Sequence, residues 1–594
     1  MIRYRVAIAE PQRHTALLHL SAPAGPDGLT LHFPAWTPGS YLLREFARYA
    51  DEPGAEDDLG RTLPLHRDHH ASWTIAAPEG STVHVRWTVW AHELTVRTPH
   101  IDDTHAFFTG TNLLPLVAGR TDEPVRLELR GPRGWEVFCP LDVAPSRDGG
   151  EDAAWPRADL LGETHAFTAP DYDRLADAIV EVGPHRSTTV EVEGVPHRLV
   201  LWEDGAVDID LERLARETAE LVRTNARLFG GLPYPRYDFV FHVTEDGRGG
   251  LEHLNSTALA VPWKAFTTDE GRVDMHTLIA HEHLHVWNGK RIRPEALGPF
   301  DYLRENHTRA LWVVEGLTVY MDELQTLRGG LIDREGYLRL LGQAIRRFET
   351  TPGRFGQSLA DASLDAWIRL YRPDANSINR TVSYYLKGGL VWLCLDLHLR
   401  TATGGERSVD DVLRLLWRRY EEDGQGYADH ALPALIREAT GVDVADLVHA
   451  WVERRDVQPD LDAALGSHGL RIERTRSGAP DLGLVLGTEG ADVVVRSIVA
   501  DGPNAEGALA PGDVLVALDG RRVWPGSLRA LLDSLAPGAQ LEGHVFRRGV
   551  LRALPLFTAE QGCLEEVRVL PVDTPTEEQR ALLEGWLGGG SPSR

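Results

Sequence analysis

Three histidines alternate around one glutamate in LIAHEHLHVWNGKRIRP (278–294). On a strand, His281, His283 and His285 would share one face and could bind a metal together. On a helix, only His281 and His285 align, with Glu282 beside them. Met275, Leu278, Ile279 and Val286 gather on one side of such a helix. Glu282 points into that sector and the two histidines flank it. A strand would instead seat Glu282 among Ala280, Leu284 and Val286, a costly place for a carboxylate without a partner. Gly289, then Lys290 and Arg291, make a fair helix C-terminus with cations against the dipole. The helix is therefore expected, and His283 becomes structural or substrate-facing. Histidines at i and i+4 lie ~6 Å apart along the axis, so both imidazoles can reach one tetrahedral metal. Zinc accepts neutral imidazole and needs no redox chemistry. A glutamate beside the first ligand is placed to take a proton from water acidified by the metal. The bland alternative is a partly exposed helix with solvated histidines.

A catalytic zinc usually takes a third protein ligand. Glu315 stands alone as an acid in the apolar helical run LWVVEGLTVY (311–320). A buried glutamate needs an ion partner or a metal. Arg309 could supply the ion pair, and a metal shared with His281 and His285 is the other choice. YDFVFHVTEDGRGGLEHLNS (237–256) reads as a strand, a Gly-rich turn and then Glu252. If that strand edges a cleft, an extended peptide could pair with it. Gly249 and Gly250 would lie against the peptide, and Glu252 could hold its α-amino group. An ordinary loop glutamate is the alternative. SYYLKGG (383–389) places Tyr384 and Tyr385 at the start of an apolar helix. A hydroxyl there could donate to the oxyanion of a tetrahedral intermediate, or the rings could simply pack.

The chain that must position these groups has 594 residues, too many for one core. Its formal net charge of −26 argues against a nucleic-acid partner, which would require a basic surface. Cys139, Cys394 and Cys563 form no CxxC pair or disulfide framework and read as reduced thiols. The N-terminus MIRYRVAIAEPQRH is charged where a secretion signal would be apolar, and no apolar run spans a membrane. A cytoplasmic, membrane-free protein is expected. Short alternating runs bounded by Pro, Gly and Asp make residues 1–186 a β-rich domain. Within it APSRDGGEDAAWPRAD (144–159) reads as a surface loop. Residues 187–463 begin with strand-like runs and turn helical. Residues 464–560 read as a small strand-rich module with one helix, SLRALLDSLAPG. Residues 561–594 form a C-terminal extension whose end, LGGGSPSR, reads as disordered.

HEHLHVWNGKRIRP, LWVVEGLTVY, GGLEHLNS and SYYLKGGLVW, in order and spacing, resemble the glycyl aminopeptidase family of gluzincin metallopeptidases. FPAWTPGSYLLREFAR (33–48) is similar to the N-terminal domain of that family. The resemblance implies a multidomain α+β protein. Its parts would be an N-terminal β-sandwich-like domain, a thermolysin-like catalytic domain of mixed α/β and helical structure, and a C-terminal PDZ-like domain. It implies one catalytic Zn2+ on His281, His285 and Glu315, with Glu282 as general base. Peptides with a free N-terminus, beginning with small residues such as Gly or Ala, would be substrates. In the related aminopeptidase N family a GxMEN-type glutamate binds the amine, and GGLEH holds that place with Glu252. A Y-x-K-G tyrosine of that family corresponds to Tyr385 rather than Tyr384. DLGLVLG (481–487) resembles a PDZ carboxylate-binding loop, in which Leu482, Gly483, Leu484 and Val485 would receive a peptide C-terminus. A degenerate module that only packs is the alternative there. Two rival activities remain: an endopeptidase on the same scaffold, and a PDZ-based binding scaffold with vestigial catalysis.

Overall fold

The computed structural model describes residues 1–145, 158–205 and 207–588. Most of the 144–159 loop and the C-terminal tail lie outside the described residues. The protein is a multidomain mixed α/β chain with a β-rich N-terminal domain, a helical middle and C-terminal sheets. It forms two compact units, Met1–His307 with Trp417–Tyr427, and Thr308–Leu416 with the chain from Ala428 onward.

In the first unit the N-terminal strands form sheets of seven, five and four strands. Alternation builds them. Thr82–Trp90, TVHVRWTVW, buries every second side chain, as a sheet with one covered face requires. Their inward faces join one apolar core that includes Trp73, Phe46 and Tyr172. A further five-stranded sheet follows. Its order is Arg186–Val192, Val195–Glu203, Tyr237–Thr244, Ser256–Pro262, Gly249–Glu252. Tyr237–Thr244 is parallel to both of its neighbours and almost wholly buried. It is a central strand, so the expectation that it borders a cleft is corrected. The edge is Gly249–Glu252, which pairs on one side only, antiparallel to Ser256–Pro262.

In the second unit, helices Leu311–Val314, Gly316–Arg328, Arg334–Glu349 and Leu386–Ala402 lead the helical part. Gly316 and Gly388 meet where two of these helices cross. A Cβ on Gly316 would lie 2.7 Å from the Gly388 Cα, so only glycine allows this approach. The C-terminal part carries a six-stranded sheet, 484–557, with one helix, Pro525–Asp533. Leu470–Pro480 pairs with Gly562–Pro571 around that sheet in sequence. The extension after 561 is thus structured as far as helix Glu577–Leu587. There Trp586 is fully buried and donates to the Tyr320 hydroxyl at 3.0 Å. No described helix is long and apolar enough to cross a membrane.

Candidate active site

The histidine segment is a helix, Asp269–Leu284. Thr268 caps it by accepting from the Gly271 N–H, and Asp269 and Glu270 occupy the first turn, where the dipole favours acids. It stops at His285, four residues before the glycine expected to end it. The chain tightens there into i→i+3 turns, Val286 N–H to His283 and Trp287 N–H to Leu284. Trp287 stacks on Phe229 at 4.5 Å and 7°. Lys290 is not a dipole cation but pairs with Asp177 at 2.6 Å. Arg291 does serve the helix end, donating to the Val286 carbonyl.

His281 and His285 project from one side of that helix with their Nε2 atoms 3.1 Å apart. His285 Nδ1 lies 2.7 Å from the Asn288 carbonyl. A carbonyl only accepts, so Nδ1 carries the proton and Nε2 the lone pair, the form a metal needs. His283 turns the other way. It is fully buried between the Asn225 amide at 3.0 Å and the Tyr234 hydroxyl at 2.7 Å, and burial pushes its pKa well down. Its role is structural. Glu282 is nearly buried and packs on the edge strand. A Cβ on Gly250 would fall 2.3 Å from Glu282 Oε1, so Gly250 is small because the carboxylate occupies its side-chain space.

Glu252 ends the edge strand, opposite Thr257, and is 6% exposed. One of its neighbours was not legible in the sequence. Gly39, at φ +93°, lies where a Cβ would meet Glu252 Oε1 at 2.5 Å. The FPAWTPGSYLL loop therefore reaches this carboxylate through a missing side chain. Arg97 donates to the Gly250 carbonyl at 2.9 Å, so that carbonyl already has a donor. Gly249, at φ +106°, opens the strand beside Arg97.

In the second unit Glu315 is 2% exposed, at the junction of Leu311–Val314 and Gly316–Arg328. Arg309 pairs with Asp361 at 2.9 Å, an ion pair that uses the cation suggested for Glu315. Tyr385 immediately precedes the helix Leu386–Ala402, and its hydroxyl is 3.0 Å from that of Tyr371. Burial first, and the Glu315 carboxylate second, push the Tyr385 phenol well above its ordinary pKa, so it stays a donor. Tyr384 is buried and stacked on Tyr385 at 4.8 Å. His281 and His285 offer two imidazole nitrogens in the first unit, and Glu315 is the candidate carboxylate in the second.

At the expected carboxylate loop, Leu482 is buried and Leu484 opens the edge strand Leu484–Glu489, on which Val485 is exposed. Gly483, at φ +63°, donates its N–H to Asp481 at 2.8 Å.

The model of the M61 glycyl aminopeptidases matches residues 274–391, and that of the M61 N-terminal domain matches residues 3–184. The chain belongs to the M61 glycyl aminopeptidase family and is a zinc metallopeptidase, a hydrolase of peptide bonds. Among solved structures it is similar to an aminopeptidase N family protein from Idiomarina loihiensis. That match has 28% identity, a TM-score of 0.90, and covers 99% of this chain and 100% of the other. A zinc metallopeptidase of the M1 family from Deinococcus radiodurans matches at 14% identity and TM-score 0.49, over 77% of this chain and 94% of the other. A search of curated proteins found no match.

Proposed function

We propose that the chain is an aminopeptidase that removes small N-terminal residues, Gly and Ala, using one zinc held by His281, His285 and Glu315. The observation that carries the metal assignment is the pair of Nε2 atoms facing each other at 3.1 Å, with the His285 tautomer set by Asn288. Two imidazoles and a carboxylate are a donor set for zinc with an open position. When bound, zinc supplies Lewis-acid polarisation of the scissile carbonyl and acidifies water at neutral pH. Glu282 is then the general base, receiving a proton from the attacking water and returning it to the leaving amine. Tyr385 donates its hydroxyl proton as a hydrogen bond to the developing oxyanion. Glu252 receives the α-ammonium of the peptide, and Gly249 and Gly250 let the substrate backbone lie close to the edge strand. The small-residue preference rests on family membership.

In this reading residues 1–186 form a sandwich-like domain, 187–463 a thermolysin-like catalytic domain, 464–560 a PDZ-like module and 561–594 an extension. Leu484–Glu489 is an edge strand, which favours C-terminal peptide addition there. The Gly483 N–H is engaged by Asp481, which counts against a ready carboxylate loop.

A panel of dipeptide amides with free and acetylated N-termini, run with and without chelator, tests the function. Chelator-sensitive cleavage of Gly and Ala substrates only when the amine is free is expected. Cleavage of acetylated peptides would establish the endopeptidase alternative. Binding of a C-terminal peptide without any hydrolysis would establish the scaffold.

A further inference from the structure

A second concentration of imidazole lies in the first unit. His100 belongs to strand Thr98–Ile101, and His105 immediately precedes strand Ala106–Thr109. Glu181 lies on Ile179–Gly183, and His242 on the central strand Tyr237–Thr244. His100, His105, Glu181 and His242 are all buried. Glu181 is a hub. Its Oε1 accepts from His105 Nδ1 at 2.8 Å and His185 Nε2 at 2.6 Å, and its Oε2 from His242 Nε2 at 2.8 Å.

A carboxylate receiving three N–H groups is satisfied on its own side. The consequence appears on the far side of the rings. With its Nδ1 proton directed at Glu181, His105 must carry its lone pair on Nε2. That nitrogen is sealed from solvent and has no hydrogen-bond partner. His100, whose ring centre is 5.0 Å from that of His105, presents its Nε2 on the side of Asp102. Asp102 sits beside them. Its Oδ1 takes the N–H groups of Thr104 and His105 and the Thr104 hydroxyl, which leaves Oδ2 towards His100 Nε2 at 3.1 Å. His100, Asp102 and His105 each offer one ligand atom, all within 4.8 Å of one another.

We propose that His100, Asp102 and His105 bind a second divalent metal ion of zinc type, with Glu181 as the positioning residue that fixes the His105 ring. Two imidazoles and a carboxylate suit such a cation. A carboxylate behind a ligating histidine orients the ring and raises its basicity. Asp102 is the partly exposed member and provides the way in. Trp202 stacks on His105 at 4.2 Å and closes one flank. The ion clips the turn between two strands of the N-terminal domain. Through Glu181 it also stiffens their joint with the central strand of the following sheet. Its role is structural.

Metal counting on the full-length chain, equilibrated with zinc and desalted, tests this. Wild type is expected to carry two equivalents, the H281A/H285A chain one, and the H100Q/D102N chain one. A wild type with one equivalent and an H281A/H285A chain with none would overturn the site, as would an H100Q/D102N chain that still carries two. Failure of the catalytic assignment looks different: H281A/H285A would keep every equivalent of the wild type. If H100Q/D102N does not fold, cobalt loading of H281A/H285A decides. One equivalent with visible d–d absorption is expected, and no bound cobalt overturns the site.

Discussion

The protein contains two gatherings of imidazole and carboxylate that differ in what holds the protons. Along the helix Asp269–Leu284, a backbone carbonyl accepts from His285 Nδ1, and the Nε2 atoms of His281 and His285 lie 3.1 Å apart. Around Glu181, a fully buried carboxylate takes the protons of three rings itself. The first arrangement leaves Glu282 beside the two imidazoles. The second commits its carboxylate to fixing rings. The same residue types can therefore serve chemistry or rigidity, according to which acceptor claims the ring N–H.

The sharpest way to break this contrast is to exchange each glutamate for its amide. Glu282→Gln is expected to lower kcat by about 10³-fold, the scale of a lost general base, while metal content is unchanged. If hydrolysis persists, the helix cluster is not the reactive one. Tyr385→Phe comes next. A loss of roughly 10²-fold in kcat with KM little altered is expected for a lost oxyanion donor, read from steady-state kinetics. Glu181→Gln should act on stability instead. The amide turns a donor towards an imidazole N–H, and about 2 kcal/mol is lost in urea unfolding, with kcat unchanged. A large kcat effect with no change in unfolding would erase the distinction.

The smallest effect concerns Lys387, two residues after Tyr385 in the first turn of helix Leu386–Ala402. It is fully buried, its ammonium has no hydrogen-bond partner, and burial lowers its pKa to about 8. Between about 8 and 10.5 the folded chain holds fewer protons than the unfolded one, so stability rises with pH across that window. Lys387→Met removes the burial penalty. It should raise the melting temperature at pH 7 by a few degrees, with the gain shrinking as pH approaches 10. A gain independent of pH would assign the effect to packing alone.

Some of this was legible along the chain and some was not. The spacing of His281 and His285, the acid at Glu282 and the anomalous acid at Glu315 follow from helical periodicity and from the cost of a carboxylate in apolar surroundings. Helix length was read less well. Gly289 looked like the stop, but the His285 ring and the Arg291 guanidinium serve the helix end earlier. The edge of the sheet was not legible, because the apolar run Tyr237–Thr244 is equally consistent with an edge or a central strand until its partners are known.

By itself the sequence determined what one turn of helix can carry: two imidazoles on one side and a carboxylate beside them, set by the fixed 3.6-residue period. It also determined the family, through motifs that are contiguous. Only the tertiary structure decided that Gly39 reaches Glu252, and that His100, Asp102, His105, Glu181 and His242 share one buried neighbourhood. His100, Asp102 and His105 flank one turn, but Glu181 and His242 come from strands far away in the chain. Strand pairing between distant segments leaves no periodic trace in either one, so the neighbourhood exists only once the sheets are in place.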